Sequence, residues 1–183
     1  KECDWSSDVC SSDLIYAGPR DGQGKPLSPG FSFGGETGGT QGWGRWIAAA
    51  KPGESAQYQF ATNFFRNFVF EDANWDIRSF RLEREIKTVD DKLAPLYEAS
   101  NPDLTAFQRR GGKLILYHGW SDPAIPPMST INYYESVMKK MGRASAQSFT
   151  RLYMVPGMQH CGGGPGPTQF NAFAALRSEE QHV

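Results

Sequence analysis

Nowhere does this 183-residue chain approach the roughly 18 to 20 consecutive apolar residues that a membrane span requires, so no membrane partner is expected. Charge of one sign is missing too. Lys and Arg number 19 against 20 Asp and Glu, a formal net charge of −1. Without a basic stripe and interleaved aromatics, nucleic acid and other polyanions are not expected as partners. Cysteine is scarce, at three residues, and no internal repeat is visible. The weightiest absence is chemical: no serine sits convincingly on a strand-to-helix elbow, where an activated nucleophile belongs.

The two ends look foreign to the rest. Residues 4 to 14, DWSSDVCSSDL, match the translation of a common sequencing adapter. Arg177, Ser178, Glu179 and Glu180 translate the start of that adapter's reverse complement. Residues 1–14 and 177–183 are therefore expected to be read-through artefacts and are excluded from fold reasoning. They hold one Lys with four acids and one Arg with two Glu. Setting them aside leaves 17 basic and 14 acidic side chains, and the net charge moves from −1 to +3. Cys3 and Cys10 drop out as well, leaving Cys161 as an odd cysteine that implies a missing partner or a free thiol.

Residues 15 to 54 are rich in Gly, Pro and aromatics and read as ordered loop, because disordered tracts are poor in aromatics. Residues 55 to 70 predict a helix with one apolar face of Phe60, Phe64 and Phe68 beside Ala61, Phe65 and Val69. A more polar helix is expected over 83 to 99, broken near Pro95. Lys113 to Tyr117 and Phe149 to Val155 read as short buried strands. Between them a helix should run from about Thr130 to Met141, with Ser129 as N-cap and Gly142 as its stop. A last short helix is expected over about Thr168 to Leu176. Two parallel-type strands make an incomplete sheet, since such sheets belong to large folds with both faces covered.

Asp122 lies just past the first strand, in GGKLILYHGWSDPAIPP, and His160 lies just past the second, in VPGMQHCGGGPG. An acid and then a histidine beyond the ends of successive strands is how α/β-hydrolases order the last two members of a Ser, acid, His triad. For Asp122 the competing use is a turn cap before Pro123. For His160 it is an ordinary loop histidine. His118 is the weaker base, because it precedes the acid; a packed, hydrogen-bonded core residue is its expected role. Trp120 and Ser121 should shape the loop. Gly30-Phe31-Ser32-Phe33-Gly34 satisfies G-x-S-x-G, but the sequence before and after it is neither strand nor helix.

These strings, together with IYAGPRD…PGFSFGGE…W, the NYYESV helix and PDLTAFQRRGGKL, resemble the tannase and feruloyl esterase family of α/β-hydrolases over essentially residues 15 to 176. The resemblance implies an α/β fold: residues 15–104 as the tail of a lid domain with its return helices, and 105–176 as the C-terminal part of the hydrolase core. It implies Asp122 as triad acid, His160 as base, and Cys161 as disulfide partner of a cysteine preceding the nucleophile. The family's G-C-S-x-G-G elbow and its calcium-binding lid loop have no match here. Nucleophile, oxyanion hole and a possible structural calcium are therefore expected upstream, with no cofactor in this segment.

The implied activity is hydrolysis of small aromatic esters of feruloyl or galloyl type, in a secreted or periplasmic enzyme. Phe31, Phe33, Trp43, Trp46 and Ile125 are candidates to line the acyl pocket, since flat rings bury well in apolar slots. Ordinary loop packing competes at each of them singly. Two alternatives stay open: a terephthalate-monoester hydrolase of the same family, and a catalytically inert remnant.

Overall fold

The computed structural model describes residues 12–37 and 41–179. Residues 1–11 and 180–183, most of the two adapter-like ends, lie outside the described residues. In chain order the elements are α1 (Ser12–Ala17), α2 (Trp43–Trp46), α3 (Ala56–Phe64), α4 (Leu82–Tyr97), α5 (Thr105–Arg109), β1 (Leu114–Gly119), α6 (Pro127–Met141), α7 (Arg143–Gln147), β2 (Thr150–Val155) and α8 (Ala172–Glu179).

The two strands pair in parallel, with Leu114 opposite Thr150 and Gly119 opposite Val155. Helices α6 and α7 form the crossover between them and share a buried cluster of Val137, Met138 and Ala146. Leu104, Tyr133, Tyr134 and Met141 close that small core. The opposite face is open. Tyr117 and Tyr153, register partners, are 46% and 52% exposed, and an apolar cleft of about 390 Å³ runs between them and α8. Parallel sheets ordinarily have both faces covered, so the incomplete sheet expected from the sequence is what the chain forms.

Local chemistry explains where elements start and where expectation missed. Ser55 caps α3 by accepting from the Tyr58 N–H. Beyond Phe64 the helix widens into a π turn over Phe65–Val69. The supposed apolar face of this helix is only partly covered: Val69 is 3% exposed but Phe60 is 66%. Helix α4 is continuous through Pro95, not broken there. The proline sits two residues from the helix end, so it removes one hydrogen bond and terminates α4 instead of splitting it.

Ser129 is not the N-cap of α6. That helix begins at Pro127, whose fixed φ suits the first helical position and which has no N–H to leave unpaired. Gly142 does end the helix, at φ 81°, in the left-handed region open to glycine. The last helix starts later than expected, because the Asn171 side chain accepts from the Ala174 N–H at 2.8 Å and nucleates it there. Both α1 and α8 include residues of the adapter-like ends, Ser12 to Leu14 and Arg177 to Glu179.

Candidate active site

The site is built where the ends of β1 and β2 are tied together. Trp120 N–H donates to Val155 O at 3.0 Å and Ser121 N–H to Met158 O at 3.1 Å. Gly119 makes that crossing possible: a Cβ there would lie 2.1 Å from Met158 O. The loop after β2 therefore presses against the loop after β1, and Asp122 and His160 meet across it although 38 residues separate them.

His160 Nδ1 is 2.9 Å from Asp122 Oδ2. The same oxygen lies 3.0 Å from His118 Nε2. Asp122 Oδ1 accepts the backbone N–H groups of Ala124 at 2.7 Å and Ile125 at 3.0 Å. The carboxylate thus faces four nitrogens and is 6% exposed. Burial alone would push its pKa up. The hydrogen bonds from His118, His160, Ile125 and Ala124 favour the charged form more strongly, and the net shift is downward.

A depressed folded-state pKa has a definite sign in stability. Asp122 stabilises the fold above its unfolded value of about 3.9, and that contribution is lost as pH falls through the lower folded value. The melting temperature should therefore drop on acidification below about pH 4, and Asp122→Asn should flatten that part of the pH profile. An unchanged acid slope in the variant would remove Asp122 from the groups that set it.

With Nδ1 turned to the carboxylate, His160 Nε2 lies on the outer edge of the ring. His160 is half-buried, its ring meeting the edge of Trp46 at a centroid distance of 5.2 Å and 67°. Trp46 in turn stacks on Phe60 at 5.9 Å, with the Arg45 guanidinium 5.7 Å from its ring. Its buried Nε1 has no hydrogen-bond partner among the described residues. Of the residues expected to line an acyl pocket, Trp46 touches the candidate base. Phe33 and Trp43 gather instead on Tyr16, at 4.2 and 5.5 Å. Phe31 is half-buried and its N–H donates to Ile15 O at 3.0 Å. Ile125 is 48% exposed, while its backbone serves Asp122 through N–H and His118 through C=O.

Three residues matter more than the sequence signalled. Gln57 on α3 donates to Ala124 O at 2.8 Å and to Pro123 O at 3.3 Å, clamping the acid loop. Thr130 holds His118 Nδ1 at 2.7 Å. His118, expected to be a packed core residue, is hydrogen-bonded at both nitrogens, yet one of its partners is the acid itself. No local pattern could reveal Gln57, since its partners are 66 and 67 residues away.

Ser121 shapes the loop as expected, its Oγ donating to Gly34 O at 3.3 Å. Residues 30–34 are irregular, with a turn at Phe33–Gly34, and Ser32 stands on no elbow. Cys161 is exposed, unpaired, and at φ 59°, a left-handed conformation that costs a non-glycine residue about 1 to 3 kcal/mol. Among the described residues no group of three or more His, Cys, Asp or Glu converges on a metal position. No helix among them is long and apolar enough to cross a membrane.

A family model described as tannase and feruloyl esterase matches residues 1–180. An uncharacterised esterase of Xanthomonas campestris is 38% identical over 92% of this chain and 33% of its own length. Mono(2-hydroxyethyl) terephthalate hydrolase of Piscinibacter sakaiensis is 49% identical over 78 residues, 43% of this chain and 13% of its own. Among solved structures, feruloyl esterase B of Aspergillus oryzae superposes with TM-score 0.72 at 23% identity, covering 99% of this chain and 40% of that one. The chain thus shares the fold of part of that structure. The chain spans about a third of the length of the Xanthomonas relative.

Proposed function

Because the chain belongs to the tannase and feruloyl esterase family, we propose that it carries the acid and base of a serine carboxylic ester hydrolase acting on small aromatic esters of feruloyl or galloyl type. The observation that carries this reading is the 2.9 Å contact of His160 Nδ1 with Asp122 Oδ2 at the joined strand ends. In the complete enzyme a serine outside this chain attacks the ester carbonyl. His160 Nε2 takes the serine proton and returns it to the departing alcohol. Asp122 keeps the imidazole in the Nδ1–H tautomer and stabilises the imidazolium. Water then repeats the sequence on the acyl-enzyme, releasing the acid. In this reading Trp46, whose ring meets His160 edge-on, bounds the aromatic acyl group.

The test is hydrolysis of methyl ferulate and methyl gallate by the complete gene product, with the 183-residue chain alone as control. The chain alone should be inert, since acid and base without nucleophile and oxyanion hole cannot form an acyl-enzyme. Ser32→Ala in the complete enzyme should leave kcat within about twofold, because no elbow activates that hydroxyl. A collapse of kcat would make Ser32 the nucleophile and overturn this reading.

One observation favours a second reading. The identity to the terephthalate hydrolase reaches 49% over 78 residues, so mono(2-hydroxyethyl) terephthalate belongs in the same assay. A kcat/KM for it more than tenfold above methyl ferulate would reassign the substrate.

Cys161 completes the proposal. Its strained φ and its place beside the base suit a disulfide to the cysteine before the nucleophile, which would pin the His160 loop and stabilise by about 2 to 5 kcal/mol. Such a bridge implies an oxidising compartment, hence a secreted or periplasmic enzyme. Ellman's reagent should find Cys161 reactive in this chain and unreactive in the denatured, non-reduced complete protein. Reaction in both would remove the disulfide and its support for secretion.

A further inference from the structure

We propose that His118 is a positioning residue for ester hydrolysis, which holds Asp122 and limits how strongly that carboxylate draws the proton of His160. The inference rests on the proposed roles of Asp122 and His160. His118 Nε2 faces two acceptors, Asp122 Oδ2 at 3.0 Å and Ile125 O at 3.2 Å. A carbonyl oxygen never donates, and the acid is ionised, so Nε2 must carry a hydrogen. In the neutral ring Nδ1 is then an acceptor, and the Thr130 hydroxyl donates to it across 2.7 Å. The ring is fixed in one tautomer and one orientation, with its side chain 11% exposed.

A packed strand-end histidine needs only one partner for each nitrogen. This one shares the oxygen that the base uses. The other oxygen, Oδ1, is already taken by the Ala124 and Ile125 amides, so the carboxylate cannot rotate to escape the competition. Two effects follow. The acid is anchored by two imidazoles at Oδ2 and two amides at Oδ1, and a second donor on Oδ2 draws electron density away from the hydrogen bond to His160. His118 therefore lowers the basicity that Asp122 lends to the catalytic imidazole. Among the described residues, the charged group bonded to His118 is Asp122, with His160 beyond it. From α6 His118 meets Thr130, and its register partner on β2 is Met154.

The experiment compares His118→Leu and His118→Gln in the complete enzyme, following kcat, KM and the pH profile of kcat/KM on a soluble aryl ester. The leucine variant should lose about 10- to 100-fold in kcat, the range seen when an orienting partner of a functional side chain is removed, with KM within about twofold. Its acid limb should move to higher pH, because an unshared Oδ2 holds the imidazolium more tightly. Glutamine, whose amide can donate to Oδ2 and accept from Thr130, should recover most of the kcat and return the limb. A limb that stays in place in the leucine variant overturns the proposal, since a purely packing role lowers kcat without moving it. A wild-type enzyme inert on every aryl ester would instead overturn the hydrolase reading. The placement of His118 is then judged by ¹⁵N NMR of its ring, or by the same spectrum if the leucine variant does not fold. A neutral ring protonated at Nε2 upholds it; one protonated at Nδ1 sinks it.

Discussion

If His160 is the base of the proposed triad, replacing it with Ala in the complete enzyme is expected to lower kcat by about 10⁴- to 10⁶-fold with little change in KM, because triad members act as a unit and truncation of one forfeits the work of the others. The geometry explains why no neighbour can substitute. Among the described residues His118 is the other imidazole within reach of Asp122, but its Nδ1 is turned to Thr130 and its Nε2 to the acid and Ile125 O. Neither nitrogen is left to take a serine proton. The measurement is initial rates on methyl ferulate with active-site titration. Activity within tenfold of wild type would take His160 out of the triad and leave the His160–Trp46 edge contact as packing.

Asp122→Asn is expected to be nearly as damaging, about 10⁴-fold in kcat, although the side chain keeps its shape. Both carboxylate oxygens face N–H donors: imidazoles at Oδ2, backbone amides at Oδ1. An asparagine NH2 group must therefore meet donors whichever way it turns. Facing the backbone amides, it has no remedy, since those hydrogens are fixed. Facing the imidazoles, it forces His160 to accept at Nδ1 and carry its hydrogen on Nε2, the nitrogen that should take the serine proton. The base is then present and useless. Loss of kcat with KM retained, together with a ¹⁵N shift marking the Nε2–H tautomer of His160, is the expected pair of results. A variant that retains activity would show that the imidazole is oriented by something other than this carboxylate.

Much of this arrangement is legible along the chain, and the reasons are local. Gly111-Gly112 before an apolar run, the crossover helix with Gly142 at its end, and a second apolar run are period and punctuation signals, and they specify two parallel strands. The loop positions of Asp122 and His160 follow once the strands are placed. What failed were boundaries set by competing local chemistry. Pro127 began α6 where Ser129 seemed the better cap, Asn171 delayed α8, and Pro95 fell too near a helix end to break it. The aromatic pocket divided for a different reason. Phe33 and Trp43 found Tyr16, whereas Trp46 found His160, and residue type alone does not distinguish those two destinations.

The sequence by itself determined the strand-loop-strand frame, the loop positions of Asp122 and His160 beyond the two strands, and the family, because each is written in residues close together or in strings hard to meet by chance. Only the tertiary structure decided who shares the acid. The bonds from His118, His160 and Gln57 to the Asp122 loop come from β1, the loop after β2 and α3. The meeting of His160 with Asp122 depends on the crossing at Gly119, where a Cβ would lie 2.1 Å from Met158 O in the loop after β2. Hydrogen bonds of this kind are selected by angles and distances of a few tenths of an ångström, and no spacing along a chain encodes those.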